Sequence, residues 1–463
     1  MLGKIMNKEI NLGRNSMQNL AVKSSISHQA VMARADITQH EIVALRTRYN
    51  LADAHTHQDQ SPTQRDIVDS LPRLWNAAAR QTQQQSEQEF ISAFYSLLGQ
   101  SRALERRDEI FLVYAASIAM HITATYLRQR NFRVGLIEPC FDNLHDLMKH
   151  MQVPMSPLDE ALFAEPRSIY DGLVERAGSL DAVFLVDPNN PTGSTLVAPD
   201  DLAFREVVRF CVDHRKLLIL DFCFAAFLLA SGLHRPDAYA ILEDSGVSYI
   251  AMEDTGKTWP LQDAKCATIT ASRDVTPALY PIVTSVLLNV SPFVLKLVTE
   301  YVRDSGRDGF LSVQQLLDEN RALARNRLDG GVLRYIAPPV RTSVAWFEIT
   351  RPDWRAMIFR PASCMKMSTC SRENIFSGAI PNAANASSAS HWHGIQRYSL
   401  RRSMCCAARW RKLSDDGSAR VPRRQLFPRN ARCRCRPQAR IDCLFYTQSV
   451  VTTAYEPRAD RHL

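Results

Sequence analysis

The chain contains no Cys-x-x-Cys pair, no internal repeat, no uninterrupted apolar run long enough to span a bilayer and no apolar core near its N-terminus. Each absence removes a class of protein. Cys433 and Cys435 are spaced CRC and Cys405 and Cys406 are adjacent, neither of which is the spacing of a zinc module, so no metal site is expected. The opening stretch MLGKIMNKEINLGRNSMQNLAV is polar throughout, unlike a secretory signal. The most apolar stretch, LLILDFCFAAFLLASGL at 217–233, is interrupted by Asp221 and closed by turn residues, so it reads as a buried strand followed by apolar packing rather than a membrane span. Cys140, Cys211, Cys223 and Cys266 are scattered through apolar segments, which suits reduced core thiols and a reducing, cytoplasmic compartment.

What is present is enough chain for two or three domains: 463 residues with a formal net charge of +8. The charge is unevenly placed. Residues 357–463 hold 19 of the 56 Lys and Arg, 6 of the 48 Asp and Glu and 7 of the 11 Cys, so this tail carries +13 and residues 1–356 carry −5. Nucleic-acid binding is therefore not expected of the patterned part, although a basic tail could tether RNA or DNA.

Residues 1–85 are rich in Gln, Ser, Thr and His and read as an N-terminal arm with short helices at 38–49 and 65–81. From 86 to 300, short apolar runs alternate with amphipathic stretches. EIFLVYAAS, FRVGLIEP, AVFLVDPN, KLLILDF, VSYIAME and CATITAS are strand candidates, and 117–130, 142–152, 200–214 and 234–244 are helix candidates. The alternation predicts an α/β domain, a mostly parallel sheet between two helical layers. Extended helices are expected in TSVLLNVSPFVLKLVTEYVRD and LSVQQLLDENRALARNRLDG, and a strand of a smaller α+β domain, beginning near 301 and running to 356, in VRTSVAWFEIT.

Ligands of such sheets bind beyond the carboxyl ends of the strands, where YAAS, EPCF, DPNNPTG, LDFCF and EDTGK all fall. The ordered trio DPNNPTG at 187–193, LILDFCF at 218–224 and the lysine of EDTGK looks like a site for pyridoxal 5'-phosphate (PLP). PLP needs an amine to hold it covalently, a carboxylate opposite its pyridine nitrogen, a donor to its phenolic oxygen and a cradle for its phosphate. Lys257 supplies the amine and a general base for the substrate's α-proton, unless it is a solvated loop lysine. Asp221 supplies the carboxylate, because burial inside LLILDFCFAAF calls for a cationic partner; a strand-end aspartate facing water is the alternative. Asn190 offers its amide to the phenolic oxygen, unless NNPTG is an ordinary Asn-Pro turn.

In the order and spacing of these motifs, residues 45–356 resemble the class I/II PLP-dependent aminotransferases, which have the aspartate aminotransferase-like fold (PLP fold type I). The resemblance implies that Ala115, Ala116 and Ser117 form a phosphate-binding turn at a helix N-terminus. It implies that Phe141 stacks on the cofactor ring and that Lys265 stands where a phosphate-binding arginine is usual. Three departures accompany it. Phe224 occupies the place of a tyrosine that would touch the phenolic oxygen, and Asp254, Thr255 and Gly256 replace a serine-bearing turn. Lys265 keeps a charge but loses the bidentate fork.

The resemblance stops near residue 356. Beyond it the family supplies a proline-glycine loop and an arginine that grips the substrate carboxylate, whereas 357–463 is Arg, Cys, Ser and Pro without periodicity. Back-translating this tail and reading it in a shifted frame recovers a VLPG loop and an arginine-bearing FIRIAL segment, in the family's order. The tail reads as an out-of-frame, disordered replacement of the small domain's end. The expectation is an aminotransferase that interconverts an amino acid and a 2-keto acid in amino-acid metabolism, biosynthetic, cytoplasmic and homodimeric by analogy, with activity impaired by the missing arginine. Two alternatives stand: another PLP-dependent reaction (decarboxylation, elimination or oxidation), or a non-catalytic protein binding nucleic acid through its basic tail.

Overall fold

A computed structural model describes residues 36, 38, 39, 42, 54–56, 58–261 and 263–350. The tail at 357–463, its shifted frame and most of the helix expected at 38–49 lie outside the described residues. The helix expected at 65–81 is two helices, α1 (Pro62–Asp69) and α2 (Leu71–Ala78), because Ser70 and Pro72 end one and start the other. Ser61 and Gln64 close a capping box on α1, and Thr82 and Gln85 do the same for α3 (Gln83–Leu97). A short α4 (Ser101–Glu105) leads into β1 (Phe111–Val113).

The α/β pattern then runs α5 (Ala116–Gln129), β2 (Val134–Glu138), α6 (Asp142–His150), β3 (Met155–Asp159), α7 (Pro166–Ala177), β4 (Ala182–Val186), α8 (Leu202–Asp213) and β5 (Leu217–Asp221). It continues with α9 (Ala226–Ala230), α10 (Ala238–Ser245), β6 (Tyr249–Asp254), β7 (Ala267–Ala271) and α11 (Thr276–Val286). All six expected strands form. The sheet has the order β1-β7-β6-β5-β4-β2-β3. β3, β2, β4, β5 and β6 are parallel, and β7 runs against both β6 and β1. β2, β4, β5 and β6 are buried along their whole length, as parallel strands covered on both faces must be, which is why they read as continuous apolar runs. α5, α6 and α11 pack together as one layer, and α7, α8 and α10 as the other.

The stretch at 217–233 resolves into β5 and α9, both buried. None of the described helices is long and apolar enough to cross a membrane. Cys140, Cys211, Cys223 and Cys266 are free, buried thiols. The first extended helix expected after 283 is interrupted: α11 ends at Val286 and α12 (Pro292–Asp308) begins at a proline, with Leu288 90% exposed between them. α13 (Leu311–Leu328) follows, and β8 (Leu333–Ile336) pairs antiparallel with β9 (Trp346–Ile349). Ala324, Leu328, Leu333 and Phe347 make a second, smaller core there.

Two buried features carry stability predictions. Arg235 and Glu253, 0% and 1% exposed, form a two-pronged ion pair at 3.0 and 3.1 Å, with the Tyr239 hydroxyl donating to the same carboxylate at 2.9 Å. Glu253→Gln leaves a buried guanidinium without its counter-charge and should cost about 3–5 kcal/mol in denaturant melts. Gly193, at φ +76°, donates to the Asn189 carbonyl at 2.8 Å and accepts from the Val340 N–H at 3.1 Å. A Cβ there would lie 2.6 Å from Pro338 Cβ and 2.7 Å from the Val340 carbonyl oxygen. Gly193→Ala should therefore destabilise by about 2–4 kcal/mol in the same assay, through left-handed strain plus a clash with backbone that cannot yield.

Candidate active site

The parallel strands bring their carboxyl ends to one edge, and the residues singled out from the sequence follow those ends. Ala115, Ala116 and Ser117 follow β1, Phe141 follows β2, Asn190 follows β4, Asp221 closes β5 with Phe224 just beyond it, and Asp254 closes β6 three residues before Lys257. Because β6, β5, β4 and β2 are consecutive neighbours, Lys257, Asp221, Asn190 and Phe141 belong to adjacent loops.

Asp221 sits at the centre, 1% exposed. Its Oδ1 accepts the Cys223 N–H at 2.9 Å, while Oδ2 is buried with no partner among the described residues. Burial pushes this carboxyl up to about 6; the Cys223 thiol and N–H oppose the rise, Asp254 adds to it, and the Lys257 charge opposes it. Lys257 is half-buried and makes no hydrogen bond or ion pair among the described residues. Its loop is held on both sides. Trp259 Nε1 donates to Ser305 Oγ at 2.8 Å, and from the arm Gln58 Nε2 donates to the Thr258 carbonyl at 2.7 Å and Gln60 Nε2 to the Pro260 carbonyl at 2.6 Å.

The turn before Lys257 is closed by its own aspartate. Asp254 Oδ1 accepts the Gly256 N–H at 2.8 Å, and the Lys265 side chain passes over Gly256 so closely that an added Cβ would lie 2.6 Å from Lys265 Cδ. Lys265 Nζ pairs with the exposed Asp263 at 3.1 Å. Thr255 ties the turn to Cys266 in both directions at 2.9 Å.

Of the two asparagines in DPNNPTG, Asn189 is the one bound into the protein: its Nδ2 donates to the Pro139 carbonyl at 2.8 Å and to Glu160 Oε1 at 2.6 Å. That locks the β2 and β4 loops together and leaves the half-buried Asn190 amide without a partner among the described residues. Ala115 is the N-cap of α5, no side chain among the described residues caps this helix, and Ser117 is exposed at its first turn, which leaves the terminal N–H groups for an anion. Phe141 is half-buried at the start of α6. Phe224 is buried and packs edge-on against Phe227.

The sequence did not single out Gln58, Gln60, Thr258 or Asp142. Thr258 Oγ1 is buried next to Lys257, with no partner among the described residues. Asp142, immediately after Phe141, has its Oδ2 buried with no partner among the described residues. Position after a motif residue was the one available signal for either.

No family model matches the chain, and none of the curated proteins does. Solved structures do. The structure of MppP soaked with the product 2-ketoarginine aligns at 32% identity over 65% of this chain and 82% of that one, with a TM-score of 0.60. The methionine aminotransferase YbdL from Escherichia coli aligns at 15% identity over 75% and 90%, with a TM-score of 0.56. Aspartate aminotransferase from Thermus thermophilus with maleate aligns at 13% identity over 66% and 80%, with a TM-score of 0.52. The sheet order, its two helical layers and these likenesses define a PLP enzyme of fold type I. The chain belongs to the PLP-dependent aminotransferase family, and its cofactor is pyridoxal 5'-phosphate.

The residues present fit that cofactor. A protonated pyridine nitrogen is the partner that the orphaned Asp221 Oδ2 lacks, and the uncapped start of α5 suits a phosphate.

Proposed function

We propose that this chain binds an amino acid at the Lys257 loop and converts it to the 2-keto acid by transamination. The observation that carries the reading is the buried, unpartnered Asp221 Oδ2 within electrostatic reach of Lys257. PLP supplies an electron sink for the pair released when the α-proton leaves. Lys257 would hold the cofactor covalently and, as a free amine, would take the substrate's α-proton at Nζ as general base. Asp221 keeps the pyridine nitrogen protonated by remaining ionised against it. Asn190 donates to the phenolic oxygen, Phe141 covers the ring, and Ala115, Ala116, Ser117 and Lys265 hold the phosphate. The Asp254 turn sets the approach of Lys257, and Phe224 contributes packing without a hydroxyl.

Residues 86–300 form the cofactor-holding unit in this reading, within a cytoplasmic homodimer. Because the tail at 357–463, read as out of frame, lacks the carboxylate-gripping arginine, turnover is expected to be low while cofactor attachment persists. A second reading is favoured by the 2-ketoarginine named as product in the MppP structure: a 2-keto acid can also arise with release of ammonia when an oxidant such as dioxygen takes up the electron pair. Incubating the PLP-loaded full chain with amino acids and an acceptor keto acid separates the two. Keto acid with stoichiometric amino transfer supports transamination. Ammonia or carbon dioxide in its place rejects it for another PLP reaction, and salt-sensitive nucleic-acid binding without any turnover favours the non-catalytic alternative.

A further inference from the structure

Asp187 stands one residue past β4, 1% exposed, and closes the loop that follows. Its Oδ2 accepts the Leu196 N–H at 3.1 Å and the Val197 N–H at 3.2 Å, drawing the far end of the loop back to its start. Its own N–H donates to the Asp221 carbonyl at 2.9 Å. Inside this clasp are two further rungs, the Asn189 N–H on the Ser194 carbonyl at 2.7 Å and the Gly193 N–H on the Asn189 carbonyl at 2.8 Å. Asn190 lies within the turn they close. One residue therefore joins the strand end that carries Asp221 to the loop that carries Asn190.

That joint matters for a rigid ligand. The pyridine nitrogen and the phenolic oxygen of PLP lie a fixed distance apart on one planar ring, so Asp221 and Asn190 can serve both only if the protein holds them at the matching separation, to within about 0.5 Å. The Asn190 amide has no partner of its own among the described residues to fix it. We propose that Asp187 is a positioning residue: its carboxylate clasp sets the Asn190 amide against the phenolic oxygen while Asp221 faces the nitrogen. Without that carboxylate the inner rungs remain, but two buried N–H groups lose their acceptor and the turn tilts. This rests on the reading that Asn190 donates to the phenolic oxygen of PLP held by Lys257.

The test is the pH midpoint of the bound cofactor's absorbance change in the PLP-loaded full chain, with borohydride fixation on Lys257 and a cooperative melt as controls for a folded site. A donor to the phenolic oxygen stabilises its anionic form and lowers that midpoint. Asn190→Ala should raise it by roughly one to two pH units, the worth of one hydrogen bond to a charged group. Asp187→Ala should raise it too, and the double variant no further than Asn190→Ala alone, because one residue acts through the other. Loss of a nearby negative charge works in the opposite direction. Asp187→Asn, which keeps an oxygen for both N–H groups, should therefore not raise the midpoint. An unmoved midpoint in Asp187→Ala overturns the proposal, as does a shift that adds to that of Asn190→Ala or that Asp187→Asn reproduces. Should Asp187→Ala fail to fold or to fix PLP, Asp187→Ser, too short to reach both N–H groups, is read by the same rule. If Asn190→Ala leaves the midpoint unmoved while Lys257 fixes PLP, the donor assignment falls and the role of Asp187 with it; if the wild type fixes no PLP, the cofactor-binding reading falls as well.

Discussion

Lys257→Ala abolishes borohydride fixation of PLP on the chain and lowers any amino-acid turnover by roughly 10²–10⁴-fold, the range expected when a positioned proton carrier is removed. Lys257 follows β6 on a loop pinned by Trp259, Gln58 and Gln60, yet its own amine takes no hydrogen bond or ion pair among the described residues. An amine held in place but not used by the protein is available for covalent attachment. Lys265, by contrast, pairs with Asp263 and should not substitute for it. The measurement is peptide mapping after borohydride reduction. PLP recovered on Lys265, or recovered in equal amount from Lys257→Ala, would sink the assignment.

Asp221→Asn should move stability and cofactor affinity in opposite directions. In the cofactor-free chain the carboxyls of Asp142, Asp187 and Asp221 are each pushed up to about 6, with burial as the leading cause. In the unfolded chain an aspartate titrates near about 4. Between those values the folded state holds protons that the unfolded state has released, so the stability of the cofactor-free fold is full at the acidic end and falls as pH rises toward about 6. For one such carboxyl the loss is at most about 3 kcal/mol. Asparagine imitates the protonated acid and removes the Asp221 share, so cofactor-free Asp221→Asn should melt higher than wild type near neutrality and no higher at the acidic end. PLP binding should weaken by roughly 10²–10³-fold, since the pyridine nitrogen loses its counter-charge. Thermal melts with and without PLP at both ends of this range test the pair of effects. Equal melting of the two cofactor-free chains near neutrality, with unchanged PLP affinity, would overturn it.

The strands that were legible in the sequence were those with something to bury on both faces. AVFLV, LLILD and YIAME announce themselves because a parallel strand under two helical layers has no polar face. β3, as MSPLD, was missed for the converse reason: it sits at the sheet's edge, carries Pro157 and buries little beyond Leu158, so its composition is that of a loop. The break between α11 and α12 was written in Ser291 and Pro292 but masked by the apolar residues around it. At the site, Asp221 was legible because a carboxylate in an apolar run demands a reason. Asn189 was hidden beside Asn190, since only the fold decides which of two adjacent amides is turned inward to Pro139 and Glu160. Gln58 and Gln60 were illegible for a related reason: they act through contacts about two hundred residues away, and no local periodicity records them.

Those two glutamines bear on how the protein can be trimmed. Each hands a side-chain N–H to a carbonyl just past Lys257, and Gln60 Oε1 also receives the Tyr301 hydroxyl at 2.7 Å, so the arm stitches the lysine loop to α12. An expression boundary drawn after residue 60 would preserve every strand of the large sheet while stripping those stitches from the loop that carries the reactive amine. A shortened protein of that kind could fold and still hold its lysine in the wrong place.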